Sequence, residues 1–261
     1  MSARSPAPRA EQTGAAPSPE HRGEIPGPVP GGLGPTEDEL AAAVSTLHLW
    51  RGANRGVTIV AIDGYGASGK STIADLLCPR TGASLVRTDD FFLPAARHPD
   101  AGGTAAESGR LITSFYDLRR LRAEALEPLR AGREAVFHAF DWDRGAGSSV
   151  KTRVAPKGLV LVEGVCSAAP ELSDLVDRAI FVDTAEPERL ARLRRRIAPQ
   201  DWDWEWLQAE KQYFSATRPP RSFDLVINGT DAKAEVPDRA RAPGEAGARV
   251  TGVESGPRGR S

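Results

Sequence analysis

The residues Gly64-Tyr65-Gly66-Ala67-Ser68-Gly69-Lys70-Ser71 match the pattern G-x-x-x-x-G-K-[ST]. Each residue type in it suits a triphosphate. The glycines permit positive φ and let backbone N–H groups turn toward phosphate oxygens. A helix starting at Lys70 would add its positive N-terminal end, with Ser71 and Thr72 in its first turn. Lys70 reaches the terminal phosphates as a mobile charge, and the Ser71 hydroxyl is a ligand for Mg²⁺. The pattern predicts nucleoside-triphosphate binding. It does not by itself say which reaction follows.

A kinase also needs groups that orient or deprotonate an acceptor hydroxyl, oxygen ligands for the metal, and positive charge near the transferred phosphoryl. In an open parallel sheet such groups gather at the carboxyl ends of the strands. Two acidic segments fall at such ends: Thr88-Asp89-Asp90-Phe91-Phe92 and Glu163-Gly164. Farther along, Arg189, Arg192 and Arg196 share one helical face at i, i+3 and i+7.

The elements that must hold these residues can be read from apolar patterning. Thr36-Glu37-Asp38-Glu39 is a capping box ahead of a helix through Leu40, Val44, Leu47 and Trp50. Val57 to Ile62 is a continuous β-branched run, the mark of a strand buried on both faces. The Gly-rich segment follows, and then a helix from Ser71. Further strands are expected at Ala83–Arg87, Gly158–Val162, Ala179–Val182 and Phe223–Ile227, with a short one at Ala135–Phe140. Helices are expected over 117–131, near Pro170–Val176, over Glu186–Ile197 and over Trp202–Phe214. Apolar runs alternating with helices predict an α/β fold: one P-loop NTPase-type domain with a parallel sheet of about five strands and helices on both faces.

Composition sets the outer limits. The chain has 261 residues with 34 Lys+Arg against 35 Asp+Glu, which argues against a protein that coats nucleic acid or acidic membranes. Two Cys exclude a disulfide scaffold and fit a reducing compartment; neither has a zinc-ligand neighbour. Residues 1–35 hold 8 Pro and 6 Gly without an aromatic ring, so they cannot bury enough surface to offset chain entropy. The same holds for 231–261. The reading is therefore a domain over 36–230 between two disordered tails, dispensable for activity on the N-terminal side. No secretory h-region and no apolar run of 18 residues is present, and a cytoplasmic protein is expected.

With these pieces in order, the chain resembles the uridine kinase and nicotinamide riboside kinase branch of the phosphoribulokinase/uridine kinase family. The resemblance rests on Ile62-Asp63-Gly64 running into Gly69-Lys70-Ser71, on Asp89-Asp90-Phe91-Phe92, Tyr116-Asp117, Pro128-Leu129-Arg130-Ala131-Gly132 and Val162-Glu163-Gly164, and on the Arg-rich stretch Arg189 to Arg196. It covers about residues 55–230. It implies ATP and Mg²⁺ as cofactors and a small-molecule acceptor, with no nucleic acid or membrane partner.

The resemblance also implies roles. Asp89 would be the base toward a primary hydroxyl, with Asp90 and Phe91 beside it on the substrate side. Glu163 would act on a Mg²⁺-bound water. Tyr116 and Asp117 would hold the nucleoside, and Arg192 and Arg196 would close over ATP as part of a lid. Arg144, and less firmly His138 and Asp141, would read the acceptor. The sequence departs from uridine kinases here: His138 precedes Asp141, and no His stands just before Arg144. Simpler structural readings stand beside these: a turn at Asp89-Asp90, a helix cap at Asp117 with a buried Tyr116, a solvated basic helix, and Trp202, Trp204 and Trp206 as packing rings. A pyrimidine nucleoside is the first acceptor, nicotinamide riboside or a similar small molecule the second. A nucleotide-binding regulator without transfer activity is the rival from another class.

Overall fold

A computed structural model describes residues 35–53, 56–93, 111–196 and 204–230. The helix α1 (Glu37–Ala53) opens on the expected capping box. The Glu39 N–H donates to Thr36 Oγ1 at 3.2 Å, and the Thr36 N–H donates to Glu39 Oε2 at 2.7 Å. Strand β1 (Thr58–Asp63) is buried along its whole length. The Gly-rich segment leads from it into α2 (Lys70–Thr81).

After α2 come β2 (Ser84–Arg87), a 3₁₀ turn at Thr88–Phe91 and another at Ile112–Phe115. A helical run over 118–130, α3, contains a π-helical stretch at Leu121–Leu126. The hairpin of β3 (Ala135–Asp141) and β4 (Ala146–Val154) follows, then β5 (Leu159–Glu163) and β6 (Arg178–Asp183). The chain continues with α4 (Glu186–Arg196), α5 (Trp204–Gln212) running into a π turn at Tyr213–Thr217, and β7 (Leu225–Asn228).

The main sheet has five parallel strands in the order β2-β5-β1-β6-β7. Alternate residues of each strand feed opposite faces. Val60, Ile62, Leu159, Leu161, Ile180 and Val182 pack under α1 and α2 with Leu47, Ile73 and Leu77. Ile59, Ala61, Val160, Val162 and Phe181 pack on the other face with α3 and α5. Complete burial of such side chains contributes about 1.5–3 kcal/mol each. The sheet is thus a rigid plate whose carboxyl ends form one edge.

One expected element is absent, and one lies apart from the main sheet. Residues 170–176 do not form a helix; a 3₁₀ turn spans Pro170–Leu172. Leu172 C=O accepts from both Leu175 and Val176 N–H, tightening the chain so that Leu172 and Leu175 are buried before β6 begins. The strand at 135 exists but lies outside the main sheet. It pairs antiparallel with β4. The β4 sequence Ala-Gly-Ser-Ser-Val-Lys-Thr-Arg-Val gave no strand signal because it is largely exposed and has no apolar face to register.

Candidate active site

The parallel register aligns the strand ends in one row. Ile62 of β1 and Arg87 of β2 both pair with Glu163 of β5. Asp63-Gly64, Glu163-Gly164 and Thr88-Asp89 are therefore neighbours, although they are up to 100 positions apart in the chain.

The Gly64–Ser71 segment has the backbone of a phosphate loop. Gly64 (φ 147°), Ala67 (φ 60°) and Gly69 (φ 97°) lie at positive φ. At Gly69 a Cβ would also meet Gly229 C=O at 3.3 Å, so conformation and space both require glycine. Gly229, just past β7, packs against the underside of this loop. Thr184 Oγ1 donates to Ser68 C=O at 2.7 Å and fixes the loop from the end of β6.

Ser68 Oγ is buried without a hydrogen-bond partner, a polar atom that a phosphate oxygen would satisfy. Lys70 is buried, and its Nζ donates to Tyr65 C=O at 2.8 Å. Thr72 is half-buried in the first turn of α2. The Tyr65 ring packs against Phe214 and Phe181, with the Arg189 guanidinium 4.3 Å from its centroid. Tyr65 thus anchors the loop from behind.

The residues expected at the metal come together. Ser71 Oγ donates to Glu163 Oε1 at 3.0 Å, and Arg87 Nη1 donates to Glu163 Oε2 at 2.7 Å. Burial, and then the Asp89 charge, raise the Glu163 carboxyl above its ordinary range; Lys70 and Arg87 oppose that. Arg87 also bridges to Asp75 on α2 at 2.8 Å. A hydroxyl and a carboxylate beside a phosphate loop form an oxygen donor set of the kind Mg²⁺ takes while keeping waters and phosphate ligands. The residues present fit both a triphosphate and its metal.

Asp89 is exposed, and the buried Tyr116 donates its hydroxyl to Asp89 Oδ1 at 3.4 Å. Asp90 is half-buried. Burial first, and the adjacent Asp89 second, push its carboxyl up to about 6. A wall of rings stands next to this pair. Phe92 lies 4.6 Å from Trp142, 5.3 Å from Phe140, 6.1 Å from Tyr116 and 6.4 Å from Trp206, centroid to centroid.

Several expected site residues do something else in the structure. Phe91 is fully buried against Phe137, under the Arg120 guanidinium, so it is a core residue with no face for a substrate. Asp117 caps α3 by accepting from Arg120 N–H at 3.0 Å. His138 bonds through Nδ1 to Ser148 C=O across the hairpin at 2.8 Å. Arg144 stands exposed at the hairpin turn.

Arg192 does not project toward a transferred group. Its guanidinium bonds Ala67 C=O at 3.4 Å, Gly229 C=O at 2.9 Å and Glu188. Arg189 likewise donates to Gly66 C=O at 3.1 Å. Both side chains hold carbonyls of the loop, so this arginine face of α4 braces its backbone. The Arg196 side chain and Trp202 lie outside the described residues. Trp204 is exposed, whereas Trp206 packs edge-on against Phe115. Gly164 is demanded by packing: a Cβ there would collide with Thr88 Oγ1.

Two acids were not foreseen in a role. Asp63 is completely buried at the end of β1. It accepts from Gly64 N–H at 2.8 Å, Cys166 N–H at 3.2 Å, Ala168 N–H at 3.1 Å and Tyr213 Oη at 3.1 Å. Burial outweighs these donors and pushes its carboxyl up to about 6. Asp63 ties the loop's start to the segment after β5 and to the end of α5. An acid closing an otherwise apolar strand was the available signal. Glu210 of α5 is 1% exposed and accepts from Gly66 N–H. Its only signal was a helical face shared with Trp206.

Comparison with known proteins finds kinases among the proteins this chain resembles. No family model matches the chain. A uridine kinase of Shewanella denitrificans is 28% identical over 169 residues, covering 62% of this chain and 78% of that protein. A solved structure named as a possible uridine kinase of Bacillus stearothermophilus superposes with a TM-score of 0.56 at 19% identity, over 73% of this chain and 97% of the other. A structure named for a fructose transport system kinase of Silicibacter sp. TM1040 gives 0.53 at 21% identity, over 72% and 98%. At these identities the two structures speak for the fold.

Proposed function

Starting from a chain that is uridine kinase-like in sequence and carries the P-loop kinase fold, we propose that it transfers the terminal phosphoryl of ATP to a primary hydroxyl of a small molecule. A pyrimidine nucleoside is the preferred acceptor. The observation that carries this reading is the row of strand ends. Phosphate loop, Ser71–Glu163 pair and exposed Asp89 lie along one edge, so donor and acceptor groups face the same space.

In this reading, loop N–H groups, the free Ser68 hydroxyl and Lys70 hold the phosphates. Lys70 needs only to leave Tyr65 C=O to reach them. Mg²⁺ held at Ser71 and Glu163 would supply positive charge to the phosphate oxygens. Arg87 keeps Glu163 oriented and opposes the rise of its carboxyl. Asp89 takes the proton from the acceptor hydroxyl, and Tyr116 Oη fixes the rotamer of the carboxylate that does so. The Phe92, Phe140 and Trp142 rings, inclined to one another by 37° to 85°, offer an apolar lining on which a planar heterocycle can pack against one ring face. Uracil, cytosine and nicotinamide all suit it.

The test is a panel of nucleosides, nicotinamide riboside and free hexoses with ATP and Mg²⁺, followed by ADP release. Acceptor-dependent ADP with a nucleoside is expected. Turnover with hexoses alone would overturn the acceptor assignment. Nucleotide binding without turnover on any acceptor would favour a nucleotide-binding regulator.

A further inference from the structure

The Tyr65–Gly66 peptide is held at both ends by opposite charges. Lys70 Nζ binds its carbonyl at 2.8 Å, and Glu210 Oε1 takes its N–H at 2.5 Å. Because Lys70 is the residue that reaches the terminal phosphates, this peptide marks the terminal-phosphate end of the loop. A carboxylate oxygen on a loop N–H occupies the kind of position a phosphate oxygen takes. Glu210 is also poised from the other side. Arg189 Nη1 lies 3.8 Å from Glu210 Oε2 while donating to Gly66 C=O. A Cβ at Gly66 would sit 3.3 Å from Glu210 Oε1, so a glycine is what lets the carboxylate in this close.

We propose that Glu210 is a specificity-determining residue for the nucleotide: its carboxylate stands in for a phosphate oxygen on Gly66, and a triphosphate must displace it where a diphosphate need not. The inference rests on the phosphate-binding reading of the loop. Glu210 is 1% exposed, and two like charges cannot share one N–H where water does not screen them, so the third phosphate and Glu210 are alternatives. Displacement moves α5, which also carries Trp206. Trp206 packs on Phe115 and Tyr116, and Tyr116 holds Asp89. Entry of the triphosphate is thereby linked to the acceptor side, and a diphosphate leaves the link unset.

The experiment compares equilibrium binding of ATP and ADP to the full chain, wild type and Glu210→Gln. The amide keeps the shape and can still accept from Gly66 but carries no charge. Loss of charge repulsion should tighten ATP about threefold to tenfold while ADP changes less than about twofold. An unchanged ATP-to-ADP ratio, or equal weakening of both, overturns the proposal and leaves phosphate binding intact. Absence of any nucleotide binding in the wild type overturns both. Amide hydrogen exchange of the wild type gives a second reading that needs no variant. Residues 204–212 should exchange faster with ATP bound than with ADP bound; equal or slower exchange overturns the latch.

Discussion

The two halves of the candidate site are built on different principles. On the nucleotide side almost every polar group is fixed by another. Thr184, Arg189, Arg192 and Glu210 hold the backbone of the loop, and Asp63 holds its start. The acceptor side is lined mainly by rings. Asp89 is exposed with the Tyr116 hydroxyl at 3.4 Å, Arg144 stands at a hairpin turn, and the rest is a wall of half-buried rings. Under the proposed function the difference follows from what each side would bind. Phosphates need charge and N–H groups at set positions, so preorganisation is worth its cost. A flat heterocycle needs area and exclusion of water, which rings supply with little directional bonding.

That contrast can be broken by mutation. Lys70→Ala should have the largest effect, a loss of about 100–1000-fold in kcat/KM for ATP, since one preorganised charge on the transferred group is removed. Near-normal kinetics would take the loop out of the chemistry. Asp89→Asn should lower kcat by about 100-fold or more with ATP binding retained. If ATP affinity fell instead, Asp89 would belong to the nucleotide side. Trp142→Ala should raise the acceptor KM by about tenfold, the order of one lost stacking contact, and leave KM for ATP unchanged. A change in the ATP value would show that the ring wall serves both substrates.

The smallest effect concerns pH. The Asp90 carboxyl is pushed up to about 6 by burial and by Asp89. The two acids titrate as a pair, so activity should rise as pH increases from 5 to 7 while the pair loses its last proton. Asp90→Asn removes the carboxyl that titrates near 6, and the acid limb should move to lower pH. A limb that stays in place would mean that Asp90 is not coupled to the base.

The phosphate loop was legible because its constraints are local. Glycines at positive φ, a lysine and a hydroxyl all act within one strand–loop–helix unit. The central strands β1, β5 and β6 were legible for a related reason, since strands buried on both faces must be apolar throughout. The hairpin strand β4 was not, because exposed polar residues carry no period. Phe91 and Asp117 show the limit of reading roles from motif position. Both occupy expected places in the sequence, yet one faces the core and the other its own helix. Arg192 adds a third case. Its helical face was correctly read, but the partner turned out to be loop carbonyls.

The sequence by itself determined the fold class, the Gly-rich loop between strand and helix and the acidic strand ends, because periodicity and short-range backbone geometry leave few alternatives. Only the tertiary structure decided which groups share space. Asp63, Arg189 and Glu210 are more than 100 positions apart at the extremes, and α5 approaches the loop through packing of Tyr213 and Phe214 against the far face of the sheet. Long-range packing brings a carboxylate onto Gly66, and no local pattern records it.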